Sequence, residues 1–142
     1  TRGLEEGGKL LCGGLDQVKR AGYFIAPTLF DHVTSDMTIA QQEIFGPVVV
    51  LLTISGLDEA ITVANDTEYG LSASICTNDL AEAHAFCSRV ASGVTSVNLP
   101  TAGVELHAPF GGAKASGFGI KEQGRPVLDF YTEWRTSYMK VG

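Results

Sequence analysis

The feature that most constrains the fold is the unbroken run Val48-Val49-Val50-Leu51-Leu52-Thr53-Ile54, followed at once by a segment of different period. A run this short and this rich in β-branched residues reads as a strand buried on both faces, as in α/β sheets. Behind it, Leu57, Ala60, Ile61 and Ala64 recur at i, i+3, i+4 and i+7, which sets them on one side of a helix. Asp58 and Glu59 stand in its first turn, where the helix dipole favours negative charge. The pattern then repeats. Leu71 to Cys76 is strand-like, and Asn78 or Asp79 is placed to cap a helix with the apolar face Leu80, Ala83, Cys87 and Val90. Gly93 closes that helix and Val94 to Asn98 forms another strand. The alternation predicts an α/β domain.

The flanking segments are less regular. Lys9 to Cys12 is a short apolar run closed by Gly13-Gly14. Tyr23 to Phe30 is β-prone but holds Pro27, which predicts an edge strand or two short strands. Met37 to Gln42 suits one helical turn, and Gly46-Pro47 separates it from the apolar run. From Leu99 to Gly124 glycines and prolines replace periodicity, and an ordered loop of that length is often functional. Tyr131 to Val141 reads as a terminal strand. Neither of its faces is cleanly apolar, so its backbone edge is the asset, available to extend a neighbouring sheet.

Composition narrows the function classes. With 142 residues, 44% of them hydrophobic, the chain has single-domain length and enough apolar mass for a core. A net charge of −6 with scattered Lys and Arg argues against a nucleic-acid partner. No apolar run approaches the roughly 20 residues of a membrane helix. The polar start Thr1-Arg2-Gly3-Leu4-Glu5-Glu6, without Met, has no signal-peptide pattern and reads as a cut through a longer chain. Cys12, Cys76 and Cys87 are isolated, which argues against a zinc site or disulfide framework and for a reducing cytoplasm. Each reads as a small buried hydrophobe. His32, His84 and His107 have no metal-ligand spacing among them, so no metal site is expected, and His84 reads as a partly buried, satisfied histidine. Gly117-Phe118-Gly119 is a GxG, yet the residue three after Gly119 is Glu122, so the dinucleotide fingerprint is incomplete.

Three motifs, in order, carry a family resemblance. They are Gln42-Glu43-Ile44-Phe45-Gly46-Pro47-Val48, then Ala64-Asn65-Asp66-Thr67-Glu68-Tyr69-Gly70-Leu71, then Val97-Asn98 followed by Pro109-Phe110-Gly111-Gly112-Ala113-Lys114-Ala115-Ser116-Gly117. Gly22 to Thr28 and Asp129 to Glu133 add weaker support. Together they resemble the aldehyde dehydrogenase superfamily over nearly the whole chain. The resemblance implies the C-terminal part of that family's catalytic domain over residues 1–130, and a terminal oligomerisation strand over 131–142. A homo-oligomeric parent enzyme is implied with it.

Site roles follow from the same resemblance. Glu43 would accept hydrogen bonds from the nicotinamide ribose of NAD or NADP, a geometry that suits a carboxylate and a vicinal diol. Phe45 would lie near the nicotinamide. The plain alternative is a turn-capping Glu and a core Phe. Phe110, with Thr101, Gly103 and His107, would line the pocket of a small aldehyde substrate, the alternative for Phe110 being a core ring that pins the loop. Asn98 is suited to fixing loop backbone. Glu122 matches a glutamate thought to relay protons, although Ile120 lengthens the usual spacing by one residue, and a solvated Glu is the alternative. The stretch Thr101 to His107 resembles enzymes acting on 2-oxoglutarate semialdehyde and related aldehydes. The family's cysteine nucleophile and its glutamate base lie further upstream than this chain reaches, as do the residues that would choose NAD or NADP. The chain alone is therefore expected to be inactive. A non-catalytic binding or oligomerisation module derived from the same domain is the rival reading.

Overall fold

Along the first half of the chain the β-prone runs pair into one mixed sheet. The computed structural model describes residues 1–15, 21–103 and 105–142, and divides into two units, Thr1–Thr67 and Glu68–Gly142. The first unit runs α1 (Arg2–Glu5), β1 (Lys9–Gly14), β2 (Ala26–Asp31), α2 (Thr38–Gln41), β3 (Val48–Val50) and α3 (Leu57–Asn65). Strand β2 lies in the middle, antiparallel to β1 and parallel to β3.

That position corrects the expectation that Pro27 marks an edge. Proline cannot donate to a ladder, and the sheet absorbs the loss on both sides. Pairing with β3 begins one residue later, at Thr28↔Val48. On the other side Gly14 pairs Ala26 and Cys12 pairs Leu29, so Pro27 and Thr28 together oppose Gly13. This is a bulge, the usual refuge of a strand proline. The buried Thr28 closes it: its hydroxyl donates to the Ala26 carbonyl at 2.8 Å and accepts from the Gly14 N–H at 3.0 Å.

The long apolar run also behaves differently from expectation. Only Val48–Val50 is strand, and Val49 is 58% exposed. A strand buried on both faces needs neighbours that this edge strand does not find among the described residues. The core of the unit is Phe30 and Val33 with Ile61 of α3. Leu57 and Ala60 are half-buried beside Ile61, whereas Ala64 is exposed.

The second unit contains β4 (Tyr69–Gly70), β5 (Ser72–Ile75), α4 (Leu80–Arg89), β6 (Val94–Val97), β7 (Ala113–Lys114) and α5 (Val127–Tyr131). Strands β5 and β6 pair in parallel from Ser72↔Val94 to Ile75↔Val97, with α4 as their crossover. Asp79 caps α4: its Oδ1 accepts from the N–H groups of Ala81 at 2.7 Å and Glu82 at 3.2 Å. The buried face is Ala83, Phe86 and Val90. Ala83 and Val90 hold the expected face, but Leu80, at 72% exposed, and Cys87 lie outside it, and Phe86 takes the place of Cys87. The bulky ring of Phe86 buries more apolar area than a thiol and takes the inward position.

The expectations for the cysteines and for His84 are not met either. All three cysteines are exposed, and His84 is exposed. Among the described residues no terminal strand forms. Tyr131 ends α5, and residues 132–142 belong to no element, with Trp134 98% exposed. A β-prone run becomes a strand only when another edge takes its main-chain groups, and none does so among the described residues. No helix among the described residues is long and apolar enough to cross a membrane.

Candidate functional site

The first hollow belongs to the first unit. Helix α2 stops at Gln41, and Gln42 is already extended at φ −100° and ψ 139°. The chain is gripped again where the Thr28 N–H donates to the Pro47 carbonyl at 2.8 Å. Between these anchors the 42–46 segment stands clear, and with Ile39, Val48 and Val50 it borders an open cleft of about 330 Å³. Glu43 is exposed there and Phe45 is 89% exposed. Phe45 also has φ +52°, a left-handed backbone that costs a bulky residue of order 1–3 kcal/mol. Phe45 is therefore not part of the core that the described residues form. A presented carboxylate and a presented ring, two residues apart, suit a ligand with a diol and a flat heterocycle.

The second hollow lies in the second unit, where the glycine-rich loop proves to be well tied. Strand β7 pairs with β4, the Ala115 N–H donates to the Glu68 carbonyl at 3.0 Å, and the Gly70 N–H donates to Ser116 Oγ at 3.0 Å. Gly112 is buried where a Cβ would stand 2.1 Å from the Ser116 carbonyl oxygen, so only glycine fits the fold-back. Phe110 and Glu122 form an antiparallel bridge, their main chains exchanging bonds of 2.6 and 2.7 Å. Both border one cavity of about 360 Å³, with Leu71, Phe118, Ile120 and Phe130 as further walls. Apolar walls with a few polar groups are the usual make-up of a small-molecule site.

Not every expected residue arrives there. Phe110 is half-buried on the cavity, and the exposed Glu122 borders it. Thr101, Gly103 and His107 are exposed and do not line it. The Thr101 carbonyl accepts from the Ser72 hydroxyl at 3.3 Å. His107 Nδ1 lies 3.9 Å from Glu105 Oε2, both side chains facing solvent. Val104, in the same stretch, lies outside the described residues. Asn98 acts structurally: at φ +54° its Oδ1 accepts from the Thr77 N–H at 3.0 Å and its Nδ2 donates to the Thr77 carbonyl at 2.8 Å. Phe118 and Phe130 were missed as walls. Their signal was available, since they are aromatic residues on either side of the Glu122 bridge strand.

The resolved pKa displacements lie elsewhere. The Ser55 hydroxyl lowers the Glu59 carboxyl, and the Thr34 hydroxyl lowers that of Asp36. Neither group borders the two hollows.

Fold and hollows define a class: an α/β segment with an open cleft in its first unit and, in its second, an aromatic-walled cavity beside a glycine-tied loop. The family can then be stated. The aldehyde dehydrogenase family model matches residues 1–137, and the chain belongs to that family. It is 45% identical over 142 residues to the alpha-ketoglutaric semialdehyde dehydrogenase of Bacillus subtilis, covering 98% of this chain and 29% of that protein. It is 49% identical over 137 residues to the alpha-ketoglutarate semialdehyde dehydrogenase of Haloferax volcanii, covering 94% and 28%. Among solved structures, an NAD-dependent aldehyde dehydrogenase from Sinorhizobium meliloti superposes with a TM-score of 0.87 at 42% identity, over 93% of this chain and 26% of that one. An NAD+ complex of an aldehyde dehydrogenase from Bacillus cereus gives 0.86 at 41%, over 93% and 26%. The chain thus spans less than a third of the length of these relatives.

Proposed function

We propose that the protein carrying this chain oxidises an aldehyde to a carboxylic acid with NAD, and that its substrate is 2-oxoglutarate semialdehyde or a close acidic semialdehyde. The observation that carries the reading is the Phe110–Glu122 main-chain bridge, which brings an aromatic and an acidic residue to the border of one largely apolar cavity. Membership of the family supplies the reaction class. The substrate follows two relatives named for that semialdehyde, and the choice of NAD over NADP follows relatives crystallised with NAD+.

In this reading the segment around Glu43 fits the cofactor, because its donor set is an exposed carboxylate beside an exposed ring. Glu43 would hold the cofactor through its ribose hydroxyls, with Phe45 beside it. Bound NAD supplies the hydride acceptor. Phe110 shields the aldehyde carbon from water and orients it, and Glu122 passes protons between the cavity and solvent. The nucleophile comes from sequence outside these 142 residues, since none of Cys12, Cys76 and Cys87 borders either hollow. A cation for the substrate carboxylate comes from there also, because no Lys or Arg is among the residues that border the cavity. Three exposed free thiols fit a cytoplasmic location.

We assign residues 131–142 to assembly. The exposed Trp134, Tyr138, Met139 and Val141, on main chain that joins no strand among the described residues, suit addition to a partner's sheet edge. Full-length protein assayed with 2-oxoglutarate semialdehyde and with an uncharged aliphatic aldehyde of equal length tests the substrate. NADH formation with a clear preference for the acidic aldehyde is expected. No turnover of either refutes the reaction, and no preference refutes the substrate class. Removal of the residues after Thr132 tests assembly: by light scattering the oligomer should dissociate, and an intact one refutes the assignment.

A further inference from the structure

We propose that Lys121 is a positioning residue for the aldehyde cavity, its ammonium group holding the Gly93 and Gly111 carbonyls together and thereby setting Phe110 against Glu122. The inference rests on the reading of that cavity as the substrate site. Lys121 Nζ donates to the Gly111 carbonyl oxygen and, at 3.3 Å, to the Gly93 carbonyl oxygen. The side chain is half-buried and does not trail into solvent.

The neighbourhood explains why a cation belongs there. A Cβ on Gly93 would stand 1.8 Å from the Gly111 oxygen and 2.6 Å from Lys121 Nζ, so two chain segments meet with no side chain between them. Two carbonyl dipoles converge on one spot, and a single charged donor with three N–H bonds satisfies both. The Gly93 N–H is itself bound to the Gly70 carbonyl at 2.9 Å, at the β4 strand that pairs with β7. Lys121 therefore ties the fixed side of the unit to the loop at Gly111, the residue next to Phe110. Its own neighbour, Glu122, makes the bridge to Phe110. Lys121 thus acts from both ends of the bridge without lining the cavity itself. Without it Phe110 keeps the bridge but loses the anchor beside it, and the wall drifts.

The test uses the full-length enzyme with Lys121→Met, Lys121→Arg and Phe110→Ala. Loss of two hydrogen bonds from a charged donor should raise the aldehyde KM about tenfold, with the NAD+ KM within about twofold, because the carbonyls that Lys121 holds belong to Gly93 and Gly111 and not to the 42–46 segment. Lys121→Arg keeps charge and donors and should restore most of the aldehyde KM. If Lys121→Met does not fold, Lys121→Gln retains an amide donor for one carbonyl and should give an intermediate aldehyde KM. An unchanged aldehyde KM, or an equal rise in both KM values with no rescue by Arg, overturns the proposal. If Phe110→Ala raises the aldehyde KM and Lys121→Met does not, the proposal fails while the cavity keeps its assignment. If neither moves it, both fall.

Discussion

Substituting Gly112→Ala in the full-length enzyme asks the loop for space that it does not have. The new Cβ would lie 2.1 Å from the Ser116 carbonyl oxygen and 2.5 Å from the Ser116 carbonyl carbon, against an ordinary contact of 3.4 Å or more. The obstacles include backbone, which cannot swing aside as a flexible side chain can. The two arms of the fold-back must therefore part by over an ångström. Phe110 is two residues away on the moving arm, and its bonds to Glu122 are short, so the bridge and the aromatic wall shift with it. Overpacking of this kind costs about 1–3 kcal/mol of stability. A misplacement of about 1 Å at a reacting centre is worth about a hundredfold in rate. The expected result is a loss of kcat/KM near that size in aldehyde oxidation, with a lower melting temperature in calorimetry and oligomeric state retained. Activity within about threefold of wild type, well under the hundredfold that such a shift should cost, would refute the claim that this fold-back sets the substrate wall.

Three other outcomes are expected. Asp79→Ala removes both cap bonds of α4 and should cost about 1 kcal/mol in urea unfolding, with Asp79→Asn recovering most of it. Glu59 Oε2 accepts from the Ser55 N–H at 2.6 Å and from its hydroxyl, which lowers the carboxyl's pKa in the folded state. The stability this gives α3 is present above the unfolded carboxylate pKa and is lost as pH falls through the lowered folded value, so Glu59→Gln should flatten part of the acid limb of a stability–pH curve. Glu43→Gln should slow single-turnover hydride transfer more than it weakens aldehyde binding, and identical single-turnover rates would remove Glu43 from the cofactor site.

Local chemistry in the sequence reaches a definite depth. Amphipathic spacing located α3 and α4, and Asn78-Asp79 before Leu80 narrowed the cap to two residues, because these depend on neighbours within one or two turns. The motif around Glu43 and Phe45 and the loop around Phe110 were legible because they are contiguous strings. Relations between distant segments were not. Pro27 looked like an edge residue until β1 and β3 closed on either side of its bulge, and the choice of Phe86 over Cys87 for the core depended on how α4 met β6. The antiparallel bridge that joins Phe110 to Glu122, and the Lys121 contact across Gly93 and Gly111, link residues with no common period. Hydrogen-bond partners and close approaches of that kind are set by the packing of whole elements, so only the tertiary structure decided them. The 131–142 run lies a step beyond even that, since a β-prone segment becomes a strand only against an edge that another surface provides.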